Sequence, residues 1–178
     1  FAVVDDFVGA LAEEGMDYSF QCLRGKTLSI RMPRGKAGRL YEWLAEDRLL
    51  GTKSDNKFIP PWVFRLSREQ TALFLNRLWS TDGHGKMNVT QVDLVYATMS
   101  RELVLQVQAL LWKFGVPSRI RENWPNIYKR RGEDKKAYLL HVETQEGMRA
   151  FVREIGALDK IERQDAPPWP SNPHKDTY

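Results

Sequence analysis

Apolar residues along the chain are spaced so that they predict two copies of a helix–hairpin–helix unit. In the first copy, a helix ending at Gly15 precedes two alternating strands, 18–23 and 27–32, and a second helix that ends by Gly51. The same order of elements returns about a hundred residues later. There Ser100 can cap a helix. Strands over 118–128 and 137–143 and a last helix around Phe151 follow it.

Matching residues support a duplication as well as matching element order. Ala10-Leu11 and Gly15-Met16 in the first copy correspond to Ala109-Leu110 and Gly115-Val116 in the second. In both copies a strand pair carries basic residues at its turn. Chance recurrence of a common element order is the alternative. The residue matches favour true copies and a pseudo-twofold protein, a symmetry that suits duplex DNA.

A further helix between the copies ends in an acidic residue. The residues 57–61 predict an extended connector, because each proline disfavours helix in the residue before it. Ser67 and Gln70 then have the spacing of a capping box, which predicts a helix over 68–82. Two strands, 86–91 and 92–98, are predicted after Asp82-Gly83.

The duplication sets the expected domain boundaries. A complete first half would open with its own helix and hairpin, so the first half is predicted to be incomplete and the chain to be a fragment. We assign 1–51 to the remainder of the first half and 52–66 to a linker. Residues 67–160 form the second half, and the proline-rich residues 161–178 form a C-terminal linker.

Composition and charge narrow the possible partners. No apolar run approaches membrane-spanning length, and a single cysteine, Cys22, fits a reducing, cytoplasmic setting. The net charge is only +4, but basic residues gather at the two predicted hairpins. The clusters are Arg24, Lys26, Arg31, Arg34, Lys36 and Arg39, and Arg119, Arg121, Lys129, Arg130, Arg131, Lys135 and Lys136. One such cluster is usually a solvated surface, but two in matching positions favour a polyanion partner.

Asp82 is the strongest candidate for chemistry. A helix C-terminus carries partial negative charge, so a carboxylate there is unfavourable unless something compensates it. A hard divalent cation would do so, because such ions prefer oxygen ligands. The alternative is a solvated aspartate in a type I turn that Gly83 assists. The dipeptide Asp82-Gly83, taken alone, favours the solvated turn over a metal site.

The wider string identifies a family. Residues 74–83, FLNRLWSTDG, resemble the second motif helix of LAGLIDADG homing endonucleases. The connector Lys57-Phe58-Ile59-Pro60 and the stretch from Tyr96 to Ile120 resemble the segments that flank this motif. The resemblance spans roughly residues 1–160 and is strongest toward endonuclease domains carried inside inteins of bacterial replicative DNA helicases.

The resemblance implies a fold and an activity. The fold would be α+β, with two pseudo-twofold αββαββα halves whose antiparallel sheets form a DNA-binding saddle, the first half being incomplete. The activity would be Mg²⁺-dependent hydrolysis of a long double-stranded DNA target. Asp82 and Gly83 would bind metal, and Asp82 and Arg31 would be catalytic. A second chain or a missing segment would supply the first motif helix. The DNA-binding residues would be Arg24, Lys26, Arg31, Arg34, Lys86, Arg119, Arg121, Lys129, Arg130, Arg131, Lys135 and Lys136.

Two departures from the family pattern keep alternatives open. Arg77 stands where the family often has a small residue that lets the two motif helices approach closely. Many members also have a basic residue near the catalytic centre, contributed by a strand of each half, but the corresponding strand 139–143 contains no lysine. A non-cutting nucleic-acid-binding domain, maturase-like or regulatory, is therefore the alternative function. An interaction domain that binds no nucleic acid is the third.

Overall fold

The computed structural model describes residues 2–23, 27–31, 38–87, 92–123 and 136–158. Contacts divide the chain into two compact units, Phe1–Gly51 and Thr52–Tyr178. In the first unit the elements are α1 (Ala2–Glu13), β1 (Ser19–Leu23), β2 (Thr27–Arg31) and α2 (Gly38–Glu46). In the second they are a 3-10 helix (Pro61–Arg65), α3 (Arg68–Asp82), β3 (Gly83–Met87), β4 (Val92–Thr98), α4 (Arg101–Trp112), β5 (Ser118–Asn123), β6 (Ala137–Val142) and α5 (Gln145–Glu154).

Both sheets are antiparallel, which confirms the predicted α+β class. In the first unit β1 and β2 form a hairpin. In the second unit the strand order is β3-β4-β6-β5, so β3 and β5 lie at the edges. The central pair β4 and β6 joins two sequence-local hairpins through a long-range contact.

The core of the second unit lies between one face of this sheet and the helices α3, α4 and α5. The indole of Trp79 is fully buried, with its ring centre 4.6 Å from that of Phe151 and 5.6 Å from that of Tyr96. Aliphatic side chains that include Leu75, Val107 and Leu140 complete the cluster. Trp79 therefore ties the C-terminal turn of α3 to both α5 and β4.

Helix starts agree closely with the sequence. Ser67 and Gln70 form the predicted capping box, and α3 spans the predicted residues 68–82. Ser100 caps α4 by accepting a hydrogen bond from the amide of Leu103. The start predicted for one strand is wrong: β3 begins at Gly83, directly after α3, rather than at residue 86.

Helix ends support the duplication in detail. Gly15 and Gly115 follow α1 and α4 with φ angles of 65° and 66°. The amide of Met16 donates to the Leu11 carbonyl at 2.8 Å, and the amide of Val116 donates to the Leu111 carbonyl at 3.2 Å. These are the same helix-ending hydrogen bonds in both copies. They pair Leu11 with Leu111, which corrects the one-residue shift in the match to Leu110.

The segment before α3 is held by hydrogen bonds to α4. The Ile59 amide donates to Oε1 of Gln106 at 2.6 Å, and the Ser100 hydroxyl donates to the Lys57 carbonyl. Ile59 and Val63 are buried in the core of the second unit. Residues predicted as a linker are thus packed into this unit from Lys57 onward. Within the described ranges, no helix is long and apolar enough to cross a membrane.

Candidate nucleic-acid interface and metal-binding acid

Asp82 is the last residue of α3, and its side chain is exposed. The next residue, Gly83, donates its amide to the Trp79 carbonyl and has φ −84° and ψ 156°. That backbone is extended and begins β3, so the type I turn considered from the sequence is not formed. A carboxylate therefore projects from the negative end of a helix at the point where the chain enters the sheet.

Gly83 is required here for space and not for backbone freedom. A Cβ atom at this position would lie 2.2 Å from Cδ1 of Trp79. Its φ angle is one that any residue adopts. The close approach lets the fully buried Trp79 ring lie under the junction that carries Asp82.

The described helices of the second unit pack on one face of its sheet, and the opposite face carries a different set of side chains. Register partners in antiparallel strands project to the same side, so one row across the sheet contains His84, Val95, His141 and Arg119. The next row contains Ala97, Leu139 and Arg121. We call these side chains, together with Asp93, the outer sheet face. The backbone register also places Lys86 opposite Asp93.

Arginines on β5 give this face positive charge. Arg119 and Arg121 are exposed, and Nε of Arg119 lies 2.8 Å from Oε1 of Glu143. An exposed ion pair of this kind contributes little, about 0.2–1 kcal/mol, so a phosphate can replace the carboxylate. Nζ of Lys136 lies 3.0 Å from Oε2 of Glu122, and these two side chains are equally exposed to solvent.

Two histidines on the outer sheet face were missed from the sequence. His84 is exposed two residues after Asp82, and Nδ1 of His141 lies 4.0 Å from Oδ1 of Asp93. The alternation of buried and open positions along β3 and β6 is the signal that could have found them. Each can offer a hydrogen-bond donor to a base or a phosphate.

A buried tyrosine lies behind the acid. Tyr96 is the register partner of Gly83, and its side chain is fully buried against Trp79. Burial raises the pKa of the Tyr96 phenol, and the Asp82 carboxylate raises it further. Within the described ranges its hydroxyl oxygen has no hydrogen-bond partner.

Comparisons with known proteins place this arrangement in a family. The family model described as a LAGLIDADG-like domain matches the sequence of residues 69–156, from the first turn of α3 to the end of α5. Residues 69–156 form a LAGLIDADG-like domain. The predicted family and its α+β fold are therefore confirmed.

Relatives of the LAGLIDADG-like domain lie within larger proteins. The replicative DNA helicase DnaB of Synechocystis sp. is 34% identical over 135 residues, which cover 74% of this chain and 15% of that protein. The DnaB helicase of Rhodothermus marinus is 32% identical over 72% of this chain and 14% of its own length. A DNA polymerase of Thermococcus sp. is 33% identical over 70% of this chain and 7% of its own length. The chain thus spans a small part of each relative, and the matches within DnaB are consistent with an intein endonuclease domain.

One side of the motif helix of the LAGLIDADG-like domain is open. Leu73 is 49% exposed, Arg77 is half-buried and Thr81 is exposed, and their spacing places them on one stripe of α3. If the neighbouring motif helix is missing, the sequence predicts that some of Leu75, Leu78 and Trp79 lie on an uncovered apolar strip. That was wrong for Leu75 and Trp79, which are fully buried in the domain core.

Several predicted DNA-binding residues fall outside the part of the chain that the structure describes. They are Arg24, Lys26, Arg34, Lys129, Arg130, Arg131 and Lys135. Arg31 ends β2 in the first unit and is exposed, whereas Asp82 belongs to the second unit. The pairing of Arg31 with Asp82 in catalysis therefore stays a prediction.

A cation at Asp82 would bind few atoms of the described residues. Among the described residues, no three or more His, Cys, Asp or Glu side chains gather as a metal-binding group. Mg²⁺ commonly takes one or two carboxylates and completes its shell with water and phosphate oxygens. The exposed Asp82 would supply one such carboxylate. A ligand role for Gly83 remains a prediction.

Proposed function

We propose that the LAGLIDADG-like domain is a homing endonuclease domain of an intein that hydrolyses phosphodiesters of a long double-stranded DNA target with Mg²⁺. The carrying observation is that Asp82 ends α3 at the edge strand β3 of a sheet whose opposite edge strand, β5, carries Arg119 and Arg121 on the outer sheet face. An antiparallel ribbon fits the major groove, whose base edges distinguish all four base pairs. Such a DNA target implies a cytoplasmic protein.

Each residue has a defined task in this proposal. Arg119 and Arg121 bind backbone phosphates and set the register of the duplex on the sheet. His84 and His141 donate hydrogen bonds to base edges or to neighbouring phosphates. Asp82 would hold the cation beside the scissile phosphate. A bound Mg²⁺ would supply Lewis-acid stabilisation of the charge that develops there.

A second motif helix would bring the partner acid to the site by packing on the stripe of Leu73, Arg77 and Thr81. Arg77 favours a non-identical helix over the same helix of a second copy. In a symmetric pair two Arg77 guanidinium groups would face each other, and like charges close together oppose association. Nη1 of Arg77 is hydrogen-bonded to Oδ1 of Asn76 at 2.9 Å, which fixes the charge near the stripe.

This preference can be tested by association. We expect the chain to remain monomeric under conditions in which Arg77→Ala shifts part of it to a dimer, because the substitution removes charge and bulk from the stripe between Leu73 and Thr81. Light scattering at matched concentrations measures the difference. Arg149→Ala, on α5, is the control and should leave the mass unchanged. A wild-type dimer that Arg77→Ala leaves intact would contradict a non-identical partner.

DNA binding through the outer sheet face has its own test. In Arg119→Ala/Arg121→Ala, we expect the slope of log affinity against log salt to fall in magnitude by about 2, roughly 0.9 for each phosphate that an arginine no longer neutralises. Duplexes selected from a random-sequence library supply the ligand. The control Arg149→Ala removes an exposed arginine from the helical side of the domain. If Arg119→Ala/Arg121→Ala keeps the wild-type slope, as the control should, this face does not bind the duplex.

A further inference from the structure

Tyr96 lies beneath the junction of α3 and β3. Its ring packs on Trp79, which lies three residues before Asp82, and its backbone pairs with Gly83, the residue after Asp82. The side chain is fully buried in the LAGLIDADG-like domain. Tyr96 thus contacts residues on both sides of the acid along the chain while remaining out of solvent.

Its hydroxyl has no structural explanation among the described residues. The oxygen is buried and has no hydrogen-bond partner in that part of the chain. The hydroxyl of a buried tyrosine usually has a hydrogen-bond partner. A buried tyrosine without one makes the folded protein less stable than a phenylalanine at the same position would. Phenylalanine would fill this space equally well. A hydroxyl at this position therefore needs a reason other than packing.

We propose that Tyr96 is a positioning residue for Asp82: its hydroxyl, which makes no hydrogen bond to the carboxylate in the described structure, orients that carboxylate through one bridging water when a divalent cation binds. The inference rests on the proposed function, because it concerns the same acid. A phenol, whose ordinary pKa is about 10, is a hydrogen-bond donor at neutral pH. Donors behind a metal-binding side chain fix its orientation and raise metal affinity.

The test compares Tyr96→Phe with the matched control Tyr138→Phe. Tyr138 lies on β6, half-buried against the same core, and is not assigned to the site. Terbium, a luminescent substitute for hard divalent cations, is titrated into each full chain and then displaced with Mg²⁺. We expect Tyr96→Phe to weaken binding about tenfold, with a melting temperature equal to or above that of the wild type. Tyr138→Phe should bind terbium as the wild type does.

The Asp82→Asn variant separates this inference from the proposed function. Terbium binding that Asp82→Asn leaves unchanged would remove the metal from Asp82 and overturn both ideas. Binding that depends on Asp82 but is unaffected by Tyr96→Phe would overturn the positioning role alone. A melting temperature lowered by Tyr96→Phe would also overturn it, because the hydroxyl would then have a structural partner.

Discussion

Asp82→Asn is expected to abolish Mg²⁺-dependent strand cleavage while leaving DNA binding intact. Asparagine keeps the shape of the side chain but removes the negative charge that holds the cation. Loss of several kcal/mol of stabilisation at the phosphate corresponds to a fall of about a thousandfold in rate. Nicking of library-selected duplexes, with and without chelator, measures the effect.

Stability provides the control for that variant. Asp82 is exposed at a helix C-terminus, so its removal should leave the free energy of unfolding unchanged or raise it by about 0.3–1 kcal/mol. A variant that cleaves like the wild type would show that Asp82 is not the metal-binding acid. A wild-type domain that, with a second motif helix present, binds the selected duplex but does not nick it at any Mg²⁺ concentration would favour the non-cutting alternative.

Gly83→Ala is expected to be the most destabilising small substitution at the site. The added Cβ would lie 2.2 Å from Cδ1 of a Trp79 ring that Tyr96 and Phe151 hold in place. Since the ring cannot retreat, the C-terminus of α3 must shift. Overpacking typically costs about 1–3 kcal/mol, and a contact this short places the expected cost at the upper end of that range. Chemical denaturation followed by tryptophan fluorescence measures the change.

Gly115→Ala is the matched control in the same unit. A Cβ at Gly115 meets nothing within 4 Å, but the φ angle of +66° strains any side chain. The expected cost is about 1–2 kcal/mol, from backbone conformation alone. If Gly83→Ala costs no more than Gly115→Ala, the close packing of Trp79 under the acid is wrong.

Local signals in the sequence were enough to predict most of the elements. The Ser67–Gln70 capping box and the Ser100 cap have fixed spacings that depend on neighbouring backbone groups only, so α3 and α4 were predicted from residues alone. The resemblance of residues 74–83 to a known motif identified the family and singled out Asp82. The strand alternation also located β4 and β6.

Features that depend on packing could not be predicted in the same way. The α3 sequence is apolar on several sides, so its periodicity does not say whether Leu73 or Trp79 faces solvent. The orphan hydroxyl of Tyr96 follows from strand register. The row of His84, His141 and Arg119 requires pairing between strands far apart in sequence.

The position of β5 at the edge of its sheet gives its arginines a second consequence. An edge strand can recruit a strand of another molecule, and charged side chains along it oppose such aggregation. Arg119, Arg121 and Glu122 are exposed along β5. Substitutions of Arg119 and Arg121 that weaken the proposed DNA binding would therefore also make the protein more prone to aggregate. Selection against aggregation would preserve these charges even in a descendant without the proposed endonuclease activity.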